Sequence, residues 1–295
     1  MTTRNPALLD APSNLGLRPP EPGAVPGCYK APGVFRDLGL LSRLGAIDAG
    51  VVTPPRYLPD WTPGTVRNEA AIAAYSRQVA DRVTAILERD DLPVVLGGDC
   101  SIVVGVALAL HRRGRFGLVY LDGLDYRHDG PDVGAAGGES LALVTGVGGL
   151  LAELDGTRPY LRPSDTIVVG LRPGDEYAGE AAAAGLHLID APTVSRDPLL
   201  AADQALRLLE HAELDGFWVH IDADVIDGEL LRAVDSPEPD GLTFDELVTV
   251  VRRLLASPQV VGVDVTIYDP DRDPDLHGGQ QLTDALVKAF ANWRA

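Results

Sequence analysis

At 295 residues, with 25 basic against 43 acidic side chains and a net charge of −18, the chain argues against a phosphate-backbone partner, because binding one needs a basic stripe that is missing here. No apolar stretch reaches membrane-spanning length and no signal-peptide core follows Met1 to Pro6, so a cytoplasmic protein with neither membrane nor nucleic-acid partner is expected. Two cysteines, Cys28 and Cys100, do not indicate a disulfide framework.

In chain order, Leu8 to Leu17 reads as a short strand turning into a loop, and Arg18 to Gly27 is too proline-rich for a helix or a central strand. Val34 to Leu44 has helical spacing of apolar residues, Ala46 to Val52 is a candidate strand, and a proline-marked loop follows from Thr53 to Pro63. Asn68 to Glu88 is the first long amphipathic helix, with Ile72, Val79, Val83 and Ile86 or Leu87 along one stripe. The rhythm then becomes regular: strand 92–96, helix 101–112, strand 116–121, a glycine-rich stretch and helix 140–154. Strand 166–169, helix 176–184, strand 186–189, helix 198–210 and strand 217–222 continue it, and helix 244–256, strand 260–265 and helix 282–293 close it. Such alternation predicts a mostly parallel sheet with helices on both faces, and no composition break divides residues 1–295 into separate domains.

Ligands of such sheets sit outside the carboxyl ends of the strands, and three strands here end in polar residues. Phe217 to Asp222 runs into Ala223-Asp224, Phe116 to Leu121 runs into Asp122, and Leu92 to Leu96 runs into Gly97-Gly98-Asp99-Cys100-Ser101. Side chains alternate along a strand, which points Asp222 and Asp224 the same way about 7 Å apart. Carboxylates crowded at the end of a core strand need a metal ion, a cationic ligand or a proton as compensation, unless the turn is simply a solvated acidic loop.

With these residues in place, the chain resembles the arginase and agmatinase family of ureohydrolases, whose blocks are Gly-Gly-Asp-His-Ser, Asp-Ala-His-x-Asp and Ser-x-Asp-x-Asp-x-x-Asp-Pro. Gly97 to Ser101 is similar to the first, Asp122-Gly123-Leu124-Asp125-Tyr126 stands where the second belongs, and His220 to Gly228 is similar to the third. Asp235 to Thr243 and Tyr268-Asp269-Pro270 resemble two later loops. The resemblance implies a three-layer α/β/α fold with a central eight-stranded parallel sheet, a homo-oligomer, and two manganese ions that ionise one water. Carried over position by position, Asp122, Asp222 and Asp224 keep carboxylate ligands, while the two family histidines are Cys100 and Leu124 and the closing aspartate of the second block is Tyr126. The glutamate that the family places near a substrate guanidinium is Ile267, and no histidine aligns with the family's proton shuttle.

Leu124 coordinates nothing, and a Cys100 thiolate suits zinc better than manganese. A binuclear manganese centre is therefore not expected; the expectation is no metal, or one divalent ion on Asp122, Asp222 and Asp224 with Cys100 and Asp125 as possible further ligands. A shifted alignment would put Asp125 and His128 in place of the lost aspartate and histidine. The leading expectation is an arginase-fold enzyme of altered chemistry, with Asp122, Asp222 and Asp224 catalytic and Tyr126, His128 and His220 contacting a small nitrogen-containing substrate. Cyclisation, dehydration, elimination or isomerisation would suit such a pocket. The alternatives are a manganese hydrolase of linear amidine or guanidine C–N bonds and a non-catalytic protein that keeps the fold. Asp99 is read as an acceptor for backbone N–H groups, and Cys100 as a small packed residue or a nucleophile.

Overall fold

The apolar runs fold into one eight-stranded sheet in a computed structural model that describes residues 4–210, 213–291 and Trp293. Its strands are β1 (Pro6–Ala11), β2 (Ile47–Val51), β3 (Leu92–Gly97), β4 (Phe116–Leu121), β5 (Thr166–Leu171), β6 (His187–Asp190), β7 (Gly216–Asp222) and β8 (Val260–Thr266). They lie in the order β2-β1-β3-β8-β7-β4-β5-β6, and every pairing is parallel. The last two strands in chain order, β7 and β8, are thus inserted between β3 and β4. That insertion brings the ends of β3, β8, β7 and β4 together on one edge, the switch point at which such sheets bind ligands.

The sheet is covered on both faces, so its central strands are buried throughout, as their β-branched composition requires. Helices Glu69–Leu87 and Ile102–His111 pack on one face over Val95, Leu118, Tyr120 and Trp218. Helices Pro198–Glu210, Phe244–Leu255 and His277–Phe290 cover the other over Leu96, Val219, Ile221 and Val263. The three-layer architecture expected from the family blocks is therefore present. Among the described residues, no helix is long and apolar enough to cross a membrane.

Three helix assignments change. The predicted helix Val34 to Leu44 is two helices, Ala31–Asp37 and Leu40–Leu44, parted by Gly39 at φ 80°. The predicted helix 140–154 is helical only over Ser140–Val144, because Gly146 and Gly148 take φ 95° and 131° and turn the chain into short 3-10 segments. The last helix begins at His277 rather than Leu282 and ends at Phe290; Asn292 of the predicted span lies outside the described residues. In the first two cases the apolar period is genuine, but glycines in the left-handed region interrupt the backbone that carries it.

Candidate active site

The turn after β3 is built by close approach. A Cβ on Gly98 would overlap the Ser13 carbonyl, and the buried Asp99 accepts from Ser13 Oγ at 2.6 Å and from the Ser101 N–H at 2.9 Å. Asp99 is thus the structural acceptor that its sequence context suggested. This turn delivers Cys100, 1 % exposed, to the head of helix Ile102–His111. Its Sγ donates to Asp222 Oδ2 at 2.6 Å and stands 3.2 Å from Thr266 Oγ1 at the end of β8.

At the end of β7, Asp222 Oδ1 accepts the Asp224 N–H at 2.8 Å and so caps the 3-10 turn Ala223–Val225. Beside it, Asp122 leaves β4 with Oδ2 buried and without a hydrogen-bond partner. Asp125, in the loop that follows, accepts from Tyr120 Oη and Ser140 Oγ, both at 3.0 Å. Asp122, Asp125, Asp222 and Asp224 all line one cavity of about 1000 Å³ with Cys100. Gly16 to Pro20 and Asp235, Ser236 and Glu238 form its walls, and Arg18, Arg127, Arg172 and Arg272 also line it.

Burial, then repulsion from Asp125, Asp222 and Asp224, holds the Asp122 carboxyl well above the usual carboxylate range. Burial followed by Asp224 and Asp125 does the same to Asp222. Asp125 is pushed up to about 6 by burial and then Asp224, and Asp224 to about 6 by burial and then Asp235. The Cys100 thiol is raised well above its ordinary value by burial and then by the Asp222 charge. The cluster thus favours protons or a cation in its midst.

Of the residues singled out for substrate contact, the structure brings one to the cluster. His220 shares the Asp222 face of β7, is 0 % exposed, stacks on Tyr120 with ring centroids 4.1 Å apart, and places Nδ1 2.6 Å from Asp264 Oδ2 on β8. Tyr126 is instead buried in the core on the Tyr120 side of the sheet and is not part of the cavity lining. His128 lies at the surface with Nε2 3.0 Å from Glu180 Oε2, edge-on to Tyr126 and Tyr177, and does not line the cavity either. The shifted alignment therefore brings Asp125 to the cluster and leaves His128 outside it.

Two residues, Asp264 and Arg172, were not found from sequence, and the structure adds the backbone of Ile267, already placed where the family pattern has a glutamate. Asp264 interrupts the apolar β8 at full burial, and a lone aspartate inside a core strand was the available signal. Arg172 donates from Nη2 to the Asp224 carbonyl at 2.7 Å and from Nε to the Pro239 carbonyl at 3.0 Å, tying the Ala223–Val225 turn to the 235–243 loop. Ile267 lines the cavity at φ 71°, a left-handed conformation that is costly for a β-branched residue, with its N–H held by the Gly98 carbonyl at 2.7 Å.

Comparison with known proteins agrees with this architecture. The chain is 26 % identical to an arginase of Agrobacterium fabrum over 96 % of this chain and 90 % of that one. Its fold superimposes on the arginase of Bacillus caldovelox with a TM-score of 0.87 at 21 % identity, covering 98 % of this chain and 99 % of that one. The formimidoylglutamase of Bacillus subtilis follows at a TM-score of 0.76 and 20 % identity, over 99 % and 87 % of the two chains. The family model "Arginase family" matches residues 27–291, nearly the whole chain, including the ends of β3, β4, β7 and β8. The chain belongs to the arginase family.

Proposed function

We propose that this chain is an arginase-fold enzyme that acts on a small, nitrogen-containing cationic molecule by acid/base steps at Asp122, Asp222 and Asp224. The observation that carries the proposal is the donor set around those carboxyls. A pair of manganese ions does not fit it: Leu124 and Tyr126 stand at two ligand positions implied by the family pattern, and Tyr126 is packed in the core. Cys100 stands at a third, and a buried thiol is a poor partner for manganese.

Crowded carboxyls with unequal surroundings supply a proton donor beside a proton acceptor, which is what bond-rearranging chemistry on an amine or amidine needs. The acidic floor attracts a positively charged group, and Arg18 and Arg127 at the exposed side of the cavity suit an anionic group at the other end of the same molecule. Ile267 presents a hydrocarbon surface where the family pattern implies a glutamate, which disfavours a guanidinium at that point. Cyclisation, dehydration, elimination or isomerisation agrees with these features better than release of urea.

Asp125 favours a second reading. It reaches the cluster from a position offset by one from the expected aspartate, so it is a candidate replacement ligand for manganese-dependent cleavage of an amidine or guanidine C–N bond. A panel of arginine, agmatine, formimidoylglutamate and related amino acids, followed by mass spectrometry with and without manganese, separates the two. The first reading expects products that keep the substrate's carbon skeleton intact, with no urea. Urea or formamide released only with manganese would establish the second.

A further inference from the structure

We infer that Cys100, Asp122, His220 and Asp222 form a site for a single zinc-class divalent ion, in which His220 supplies the imidazole that position 124 no longer provides. The inference rests on the proposal that no manganese pair is held and narrows its roles: with the ion bound, Asp122 and Asp222 serve as ligands and Asp224 keeps the acid/base role. One candidate donor atom from each of these four buried residues lies within 4.8 Å of the others. In a tetrahedral zinc site, with donors about 2.0 to 2.3 Å from the ion, neighbouring donors stand roughly 3.3 to 3.8 Å apart, so small side-chain adjustments bring the four to binding distance.

His220 is the independent observation. Its Nδ1 is 2.6 Å from Asp264 Oδ2, and Asp264 Oδ1 in turn accepts from Trp218 Nε1 at 2.5 Å. A carboxylate there fixes the proton on Nδ1 and leaves the Nε2 lone pair available, the arrangement in which metal-bound imidazoles are held. That Nε2 is completely buried and has no hydrogen-bond partner. Asp122 Oδ2 is buried and unpartnered in the same cluster. Two buried polar atoms thus share one missing partner, and a cation satisfies both.

The chemistry of the donors selects the ion. Thiolate, imidazole and two carboxylates form a mixed sulfur, nitrogen and oxygen set suited to zinc, whereas manganese favours sites without sulfur. Binding releases the thiol proton that Cys100 now donates to Asp222, and Thr266 Oγ1, 3.4 Å from Asp222 Oδ2, remains to orient that carboxylate. Asp125 and Asp224 stay free to meet substrate.

The test uses the full-length protein, stripped with chelator and titrated with cobalt(II) and separately with zinc and manganese. The expected result is one ion per chain, zinc bound far more tightly than manganese, and a thiolate-to-cobalt charge-transfer band that Cys100→Ser abolishes. His220→Asn should weaken zinc binding at least 10-fold; thermal unfolding of both metal-free variants checks that they fold. Failure to bind any ion overturns the site and leaves metal-free acid/base chemistry standing, and one ion without the thiolate band overturns the Cys100-containing ligand set. Two manganese ions per chain overturn both the site and the proposed function.

Discussion

His220 on β7 and Asp264 on β8 face each other across adjacent parallel strands, Nδ1 to Oδ2 at 2.6 Å, both entirely out of contact with solvent. Their register is set by the sheet, which pairs His220 with Asp264 and, two residues later, Asp222 with Thr266. The imidazole is therefore fixed from the neighbouring strand by a carboxylate, on the strand face that carries Asp222.

This pairing makes Asp264 a positioning residue. Asp264→Asn keeps the shape but no longer fixes the Nδ1–H tautomer of His220. Zinc affinity should fall about 10- to 100-fold, the usual effect of losing such an outer partner. Competition titration with a chromophoric chelator measures it; unchanged affinity would make the pair merely structural.

Removing one charge from the cluster should separate stability from activity. Asp224→Asn relieves repulsion on Asp222 and Asp122, whose carboxyls its charge helps to raise. The metal-free variant should melt above the parent, while turnover drops about 10²- to 10⁴-fold as expected for loss of a general acid or base. Calorimetry beside a turnover assay tests both halves, and a lower melting temperature would contradict the crowding account.

The same crowding sets a pH dependence for the chelated protein. Asp125 and Asp224 titrate near 6 in the folded state against an ordinary value of 3.8, so the native chain holds their protons more tightly than the unfolded chain. Their contribution to stability is complete below about 3.8 and is lost as pH rises through about 6. Denaturant midpoints of chelated protein should therefore fall between pH 5 and pH 7.5, and zinc should flatten that fall. Equal midpoints at the two pH values would mean that these carboxyls are not raised.

Arg172 should control the order of the cavity wall. Its guanidinium reaches the carbonyls of Asp224, Glu238 and Pro239 from one side chain. A lysine has no planar fork to span them, so Arg172→Lys should speed proteolysis within the 235–243 loop and raise KM more than it lowers kcat. Limited proteolysis followed by mass spectrometry locates the cut. An unchanged digestion pattern would show that the loop holds without it.

By itself the sequence determined the layered α/β architecture, the placement of Asp122, Asp222 and Asp224 at strand ends, and the departure of Leu124 and Tyr126 from the family pattern. Those features are carried by local order: period-two and helical spacing along the chain, and short blocks at fixed intervals. Only the tertiary structure decided which neighbours the carboxyls have. The insertion of β8 and β7 between β3 and β4 joins Cys100 to Asp222 across 122 positions and His220 to Asp264 across 44. His128, close in sequence to Asp125, instead turns to Glu180 and stays outside the cavity that Asp125 enters. Strand order is a long-range choice made by burial of whole faces, so the partner of a buried imidazole is fixed by the sheet and not by the residues beside it in the chain.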